Sequence, residues 1–201
     1  MKIVLLRHGA TSGNLNKKYI GRTDEPLCSE GVLQAKSAGM LPDVKRVFVS
    51  PMLRARQTAS LCFPNAEQII VDDFREMDFG DFEGRSADEM LDDASYISWV
   101  AGYCSGRCPN GENMQEYQSR TLNAFDNLVN NAMTCRDDIM YIVAHGGTVM
   151  AIMNHFVVSQ NQYFDWRVPN CCGYSFQIEK TNPNQSPYIS SYRYYDKLTD
   201  I

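Results

Sequence analysis

Short apolar runs bounded by polar or turn residues recur along the chain at 2–6, 46–49 (Arg46-Val47-Phe48-Val49), 68–71 (Gln68-Ile69-Ile70-Val71) and 139–143 (Ile139-Met140-Tyr141-Ile142-Val143). Their length and boundaries predict strands. Between them the period changes. Val32, Leu33, Ala35, Ala38 and Leu41 recur at helical spacing over 30–41. Ser50 followed by Pro51 reads as an N-cap and first helical position, opening a helix that runs to about Cys62. Ser86 with Glu89 forms a capping box ahead of Met90-Leu91. Residues 112–134 read as one long helix, and Gly147 opens another from Thr148 to Val157.

Strands alternating with helices predict βαβ units, hence an α/β fold on a mainly parallel sheet. The C-terminal part differs: Gly173–Glu179 and Tyr188–Tyr194 alternate in strand fashion around Asn182-Pro183-Asn184-Gln185-Ser186-Pro187, a hairpin-like finish. Its tyrosines read as strand packing. The stretch 92–111, with Tyr96, Trp99 and Tyr103, fits neither period; it is either a small cap over a site or an irregular helical excursion. No repeat or linker divides the chain, so a single domain over 1–201 is expected.

Composition narrows the partners. With 201 residues, 44% hydrophobic and 21% charged, the chain is ordinary for a globular domain. A net charge of −5 argues against a nucleic-acid or membrane surface as partner, so an anion would be held only by a local cluster of cations. Seven cysteines, an odd and scattered set, suit reduced thiols in a cytosol. Neither Cys104-x-x-x-Cys108 nor Cys171-Cys172 has the spacing of a structural zinc site, and no metal or cofactor is called for. The N-terminal apolar run is too short for a signal peptide, and no run is long enough to span a membrane, so a cytoplasmic protein is expected. Nothing in the pattern fixes an oligomeric state.

Four segments place polar chemistry where a strand has just ended: Arg7-His8-Gly9; Ser50-Pro51-Met52-Leu53-Arg54; Arg75-Glu76-Met77 with the residues to Gly84; and Ala144-His145-Gly146-Gly147. In a parallel sheet such loops emerge on one edge, where ligands bind beside helix N-termini that favour anions. Arg7, Arg54 and His145 can neutralise phosphoryl oxygens without a metal. His8 is the candidate nucleophile, kept neutral by the neighbouring arginines, and Glu76 the candidate proton donor and later base. Gly9, Gly146 and Gly147 let backbone approach the ligand. Arg56, Asp78, Asp81 and Glu83 read as surface charges, and His155, in an apolar helix, as structural.

The Arg-His-Gly-x-Thr-x-x-Asn start, the Ser-Pro-x-x-Arg-Ala-x-Gln-Thr-Ala segment, the Glu-x-x-Phe-Gly-x-x-Glu-Gly segment and the late Ala-His-Gly-Gly resemble the histidine phosphatase superfamily, which includes the cofactor-dependent phosphoglycerate mutases. The resemblance implies a three-layer α/β/α sandwich and a phosphohistidine on His8. It also implies a phosphate pocket of Arg7, Arg54 and His145, Glu76 as proton donor, and Asn14 as a hydrogen-bonding residue on the phosphate side. Within the family, Tyr19-Ile20-Gly21-Arg22-Thr23-Asp24-Glu25-Pro26-Leu27 and Pro109-Asn110-Gly111-Glu112-Asn113 are similar to segments of α-ribazole phosphatases of cobalamin assembly. That likeness adds Gly21, Arg22 and Thr23 to the substrate-binding candidates. Cys28 and Asn113 stand where those enzymes usually carry other residues.

The expected activity is hydrolysis of a small phosphorylated metabolite, with α-ribazole phosphate as a candidate. A phosphoglycerate mutase using the same His8 is the alternative within the family. A catalytically silent phospho-ligand sensor is the alternative outside enzymes, and the presence of both His8 and Glu76 argues against it.

Overall fold

The computed structural model describes residues 1–135, 138–179 and 187–201. Its strands are β1 (Lys2–Arg7), β2 (Arg46–Val49), β3 (Glu67–Ile70), β4 (Ile139–Ala144), β5 (Gly173–Glu179) and β6 (Tyr188–Tyr195). They form one mixed sheet in the order β3-β2-β4-β1-β5-β6. The first four are mutually parallel, and β5 and β6 add antiparallel neighbours at one side. The tip between β5 and β6 was expected to turn at 182–187, of which 182–186 lie outside the described residues.

The helices are α1 (Ser12–Leu15), α2 (Ser29–Ala38), α3 (Leu53–Cys62), α4 (Ala94–Ala101), α5 (Met114–Cys135) and α6 (Gly146–Phe156). Strand pleating sends Ile3, Leu5, Met140 and Ile142 to one face, where Phe125 and Val129 of α5 and Val149, Ile152 and Met153 of α6 cover them. It sends Val4, Leu6, Val47, Val49 and Val143 to the other face, against Ala35 and Ala38 of α2 and Ala55, Ala59 and Cys62 of α3. Both faces are covered, so the strands read as unbroken apolar runs, and the three expected layers are present. A third cluster lies outside the sheet, where Tyr96 and Trp99 of α4 pack with Met77, Phe82, Met90, Cys108 and Tyr117. The segment 92–111 is therefore one helix plus turns, anchored by its aromatic residues.

The parallel register aligns the strand ends that carry the chemistry. Arg7 lies opposite Ala144, and Val49 opposite Val143, so the loops after β1, β2 and β4 leave the sheet side by side. Several boundaries differ from the sequence pattern. α3 begins at Leu53, not Pro51, because Met52 before it is still in extended backbone (φ −65°, ψ 137°). α2 stops at Ala38 because Gly39 adopts φ +106°, a left-handed conformation that ends the helix. The Ser86–Glu89 capping box forms in both directions, but it holds a single 3-10 turn at Asp88–Met90. His155 is not a core residue; it is exposed in the last turn of α6, edge-on to Phe156.

Candidate active site

β1 lies between β4 and β5, and its last residues are tied to both: the Arg7 amide donates to the Cys172 carbonyl and the His8 amide to Ala144, each at 3.0 Å. His8 is therefore fixed by backbone before its side chain makes any contact. Its Nδ1 lies 2.6 Å from the Gly9 carbonyl. A carbonyl only accepts, so Nδ1 carries the proton and Nε2 the lone pair. Burial, and then the charges of Arg54 and Arg7, hold the His8 pKa well below the ordinary histidine value. A neutral ring was expected from the neighbouring arginines; they contribute, but burial is the larger cause.

Arg54 is fully buried on α3. Its Nη1 donates to the Thr23 carbonyl at 2.8 Å, and its Nη2 to the carbonyls of Gly21 at 2.8 Å and Ile20 at 3.3 Å. Arg7 donates through Nη1 to the Val168 carbonyl at 2.7 Å. His145 stands 5.1 Å from His8, ring centre to ring centre. Its Nε2 is 2.7 Å from Ser50 Oγ, which also accepts the Met52 amide at 3.4 Å. The Ser50 hydroxyl can then donate to Nε2, which leaves the His145 proton on Nδ1. Burial, followed by Arg54, lowers the His145 pKa well below its ordinary value. Among the described residues, Arg7 Nε, Arg54 Nε and His145 Nδ1 are buried donors with no hydrogen-bond partner. Three such donors beside a neutral histidine, next to the N-terminus of α6, make a cradle for a tetrahedral anion.

Glu76 arrives from the segment after β3. Its Oε2 accepts the Gly147 amide and its Oε1 the Met77 amide, both at 3.0 Å. Arg120 of α5 clamps this segment from behind. Its guanidinium donates to the carbonyls of Asp73, Arg75 and Glu76 at 2.8, 2.9 and 3.0 Å, and to both oxygens of Glu112. Glu112 in turn accepts the Asp78 amide at 2.9 Å. Burial and the neighbouring Glu76 carboxylate raise the Tyr117 phenol well above its ordinary pKa, so a neutral hydroxyl faces Glu76.

The remaining predicted residues fall into two groups. Asn14 Oδ1 accepts the Thr11 amide in a capping box on α1, and it meets Asn170 Nδ2 at 3.4 Å. Asn170 also donates to the His8 carbonyl at 2.9 Å, which links Asn14 to the His8 backbone. Gly21 and Thr23 act through their carbonyls, which orient Arg54. The Arg22 guanidinium lies away from that cluster, half-exposed and 3.4 Å from Asp78. Glu83 is not a solvated surface charge: its carboxylate accepts the amides of Gly21, Arg22 and Thr23 and so pins the loop that holds Arg54. A Cβ on Gly146 would meet only ordinary contact with Arg7 Nε at 3.6 Å, whereas Gly147 has no room for one.

Three contributors had no role legible in the sequence, although Ser50 and Thr58 stand in the Ser-Pro-x-x-Arg-Ala-x-Gln-Thr-Ala segment. Ser50 looked like a helix cap. Thr58, within the Arg-Ala-x-Gln-Thr-Ala segment, accepts the Gly9 amide at 3.0 Å and donates to the Arg54 carbonyl at 2.7 Å, tying the two loops together. Residues 163–170 showed no motif, yet they supply Tyr163, Arg167, Val168 and Asn170.

A cavity of about 420 Å³ opens beside Glu76 and Gly147. Tyr19, Phe79, Trp99, Tyr117, Tyr163 and Phe164 line it together with three methionines, and Arg167 is its one arginine or lysine. His8 and Arg54 are not in its lining. The site thus has a polar, buried cradle and an apolar chamber that meet at Glu76. Among the described residues no group of three histidine, cysteine or carboxylate side chains could hold a metal ion, and no helix is long and apolar enough to cross a membrane.

The family described as the histidine phosphatase superfamily (branch 1) matches residues 3–186. The adenosylcobalamin/alpha-ribazole phosphatase of Salmonella typhimurium is 31% identical over 160 residues, covering 76% of this chain and 78% of the relative. A Klebsiella pneumoniae protein named "Probable phosphoglycerate mutase GpmB" is 27% identical over 201 residues, covering 95% of this chain and 89% of its own. The crystal structure of the alpha-ribazole phosphatase from Shigella flexneri superposes with a TM-score of 0.78 at 24% identity, over 94% of each chain, a likeness of fold.

Proposed function

Because the chain belongs to the histidine phosphatase superfamily, we propose that it is a metal-independent phosphomonoesterase that passes the phosphoryl group through His8 to water. The observation that carries this reading is the cradle: three buried, unpartnered donors around a neutral imidazole whose Nε2 is free. In the first step Nε2 attacks phosphorus as the ester P–O bond breaks, and the departing alkoxide takes a proton from the Glu76 carboxyl. Arg7, Arg54 and His145 meet the oxygens on which charge collects. In the second step the Glu76 carboxylate takes a proton from water, the resulting hydroxide attacks phosphorus, and the P–N bond breaks. His8 regains its lone pair and inorganic phosphate leaves.

The leaving alcohol would occupy the aromatic chamber, because Glu76 stands at its junction with the cradle. Such walls suit a flat ring. This supports α-ribazole phosphate, a ribose phosphate bearing a benzimidazole, as a candidate substrate, as do the 19–27 loop and the Salmonella relative. Segment 92–111 acts as a partial cap in this reading, since α4 supplies Trp99 to the chamber wall.

The deciding measurement is phosphate release from a panel containing α-ribazole phosphate, alkyl and aryl phosphates and phosphoglycerate, with isomer conversion followed alongside. Net phosphate release, faster for α-ribazole phosphate than for phosphoglycerate, is expected. Primer-dependent phosphoglycerate isomerisation with little phosphate released would replace this reading with a mutase.

A further inference from the structure

The chamber beside the cradle carries one cation, Arg167, alongside the Glu76 carboxylate, whose oxygens already accept the Met77 and Gly147 amides. Arg167 follows the 3-10 turn Tyr163–Trp166 in extended backbone, between two buried neighbours. Trp166 and Val168 are 2% and 1% exposed, and the Val168 carbonyl is bonded to Arg7, so both anchors turn inward and Arg167 is left to project along the chamber. Its guanidinium lies over the Phe164 ring at 5.8 Å. Among the described residues no carboxylate pairs with it; the exposed Arg22, Arg75 and Arg107 pair with Asp78, Asp72 and Glu116, while the exposed Arg56 and Arg193, which line no such chamber, pair with none.

Resting on the phosphomonoesterase reading above, we propose that Arg167 is a specificity-determining residue. It binds a second anionic group, a carboxylate or a further phosphate, carried by the alcohol half of the substrate. The ring of that alcohol lies against the aromatic walls while its anion meets the guanidinium. Two observations give the proposal direction. An arginine stacked on an aromatic face keeps its N–H edge free for an in-plane, bidentate partner, the geometry a carboxylate offers. Arg167 is also close enough to Arg7 to count among the charges that lower its pKa, after burial and the opposing effect of Glu76. A substrate with negative charge at both ends relieves that repulsion from both sides. A neutral-ring substrate such as α-ribazole phosphate fills the chamber but leaves Arg167 unpaired, so an aromatic phosphomonoester with an added anion should be the better substrate.

The test uses phenethyl phosphate and its para-carboxylate, matched in leaving-group chemistry and differing in one anion. Wild-type protein should favour the carboxylate by about tenfold in kcat/KM, expressed mainly in KM, the scale of one charge-assisted hydrogen bond at a partly exposed site. The ratio should fall towards one in Arg167→Gln, and Arg167→Lys should restore part of it. It should also shrink as salt is raised. Hydrolysis of both esters with no wild-type preference overturns the assignment and leaves the phosphatase reading standing. So does a preference that survives in Arg167→Gln. No phosphate release from either ester overturns the phosphatase reading, and this inference with it.

Discussion

Gly147→Ala separates helix physics from site chemistry. Gly147 is the second residue of α6, and its missing Cβ faces the junction of cradle and chamber. On helix propensity alone alanine should stabilise α6 by about 0.5–1 kcal/mol. The site opposes this. An added Cβ would lie 2.6 Å from the Tyr117 hydroxyl and closer still to Glu76 Oε1. Ordinary contact needs about 3.4 Å, so the hydroxyl and the carboxylate must each retreat by roughly 1 Å. The Glu76 end can turn aside, but the Tyr117 ring is buried with its Cζ 3.0 Å from the new Cβ, so its displacement offsets the propensity gain. The chemistry has no such offset, since a misplacement of about 1 Å costs on the order of a hundredfold. The Gly147 amide also donates to Glu76 Oε2, so the retreat weakens the bond that orients the proton donor. We expect a melting temperature within a few degrees of wild type and single-turnover hydrolysis of an alkyl phosphate slowed about a hundredfold. An activated aryl phosphate, whose leaving group departs without a proton, should lose much less. Alkyl phosphate turnover within threefold of wild type would show that the Glu76 position is not what this close packing protects.

Other expectations test the remaining parts of the site. His8→Ala should lower turnover by about a thousandfold or more and abolish the acid-labile, base-stable phosphoryl label expected on wild-type protein after quenching; near-normal activity would remove His8 from the nucleophilic role. Glu76→Gln should slow alkyl phosphates far more than activated aryl phosphates in single-turnover rates, and equal losses would assign the leaving-group proton elsewhere. Prolonged chelator treatment should leave the rate unchanged, and a loss restored by magnesium or zinc would contradict the cradle. His8 and His145 have folded pKa values held below the ordinary 6.5, so the unfolded chain binds their protons first as pH falls. The stability from these two neutral rings is therefore intact above about pH 6.5 and declines below it, by up to about 1.4 kcal/mol per pH unit for each ring. Urea unfolding between pH 7.5 and 5.5 measures this, and a flat profile would mean the rings are not held neutral.

The sequence exposed the site's centre more clearly than its surroundings, for a physical reason. Arg7, His8 and His145 sit at the ends of apolar runs, and a parallel sheet must bring such ends to one edge, so local pattern implied tertiary convergence. Arg54 and Glu76 follow the same rule one strand removed. Ser50 was misread because a serine before a helix shows the same local signature whether its hydroxyl caps the helix or reaches a distant histidine. Glu83 was misread because a loop carboxylate reveals nothing of the three amides that another loop presents to it. Tyr163, Arg167 and Asn170 lie in a stretch with no period, and their roles arise from where β5 returns beside β1. The helix boundaries slipped for related reasons. Gly39 closes α2 by its backbone conformation, a cue the apolar spacing through Leu41 masked.

The cradle's unpartnered donors also bear on how the protein responds to its surroundings. They favour any tetrahedral anion of suitable size, and the orthophosphate released at the end of each cycle is one. On the proposed mechanism, phosphate that accumulates should compete with the ester for the same three N–H groups and lower throughput. On the same mechanism, Arg7, Arg54 and His145, rather than the chamber, would set the strength of that brake. Two esters differing widely in KM should therefore share one inhibition constant for orthophosphate, which makes hydrolysis a readout of ambient phosphate as well as of substrate supply.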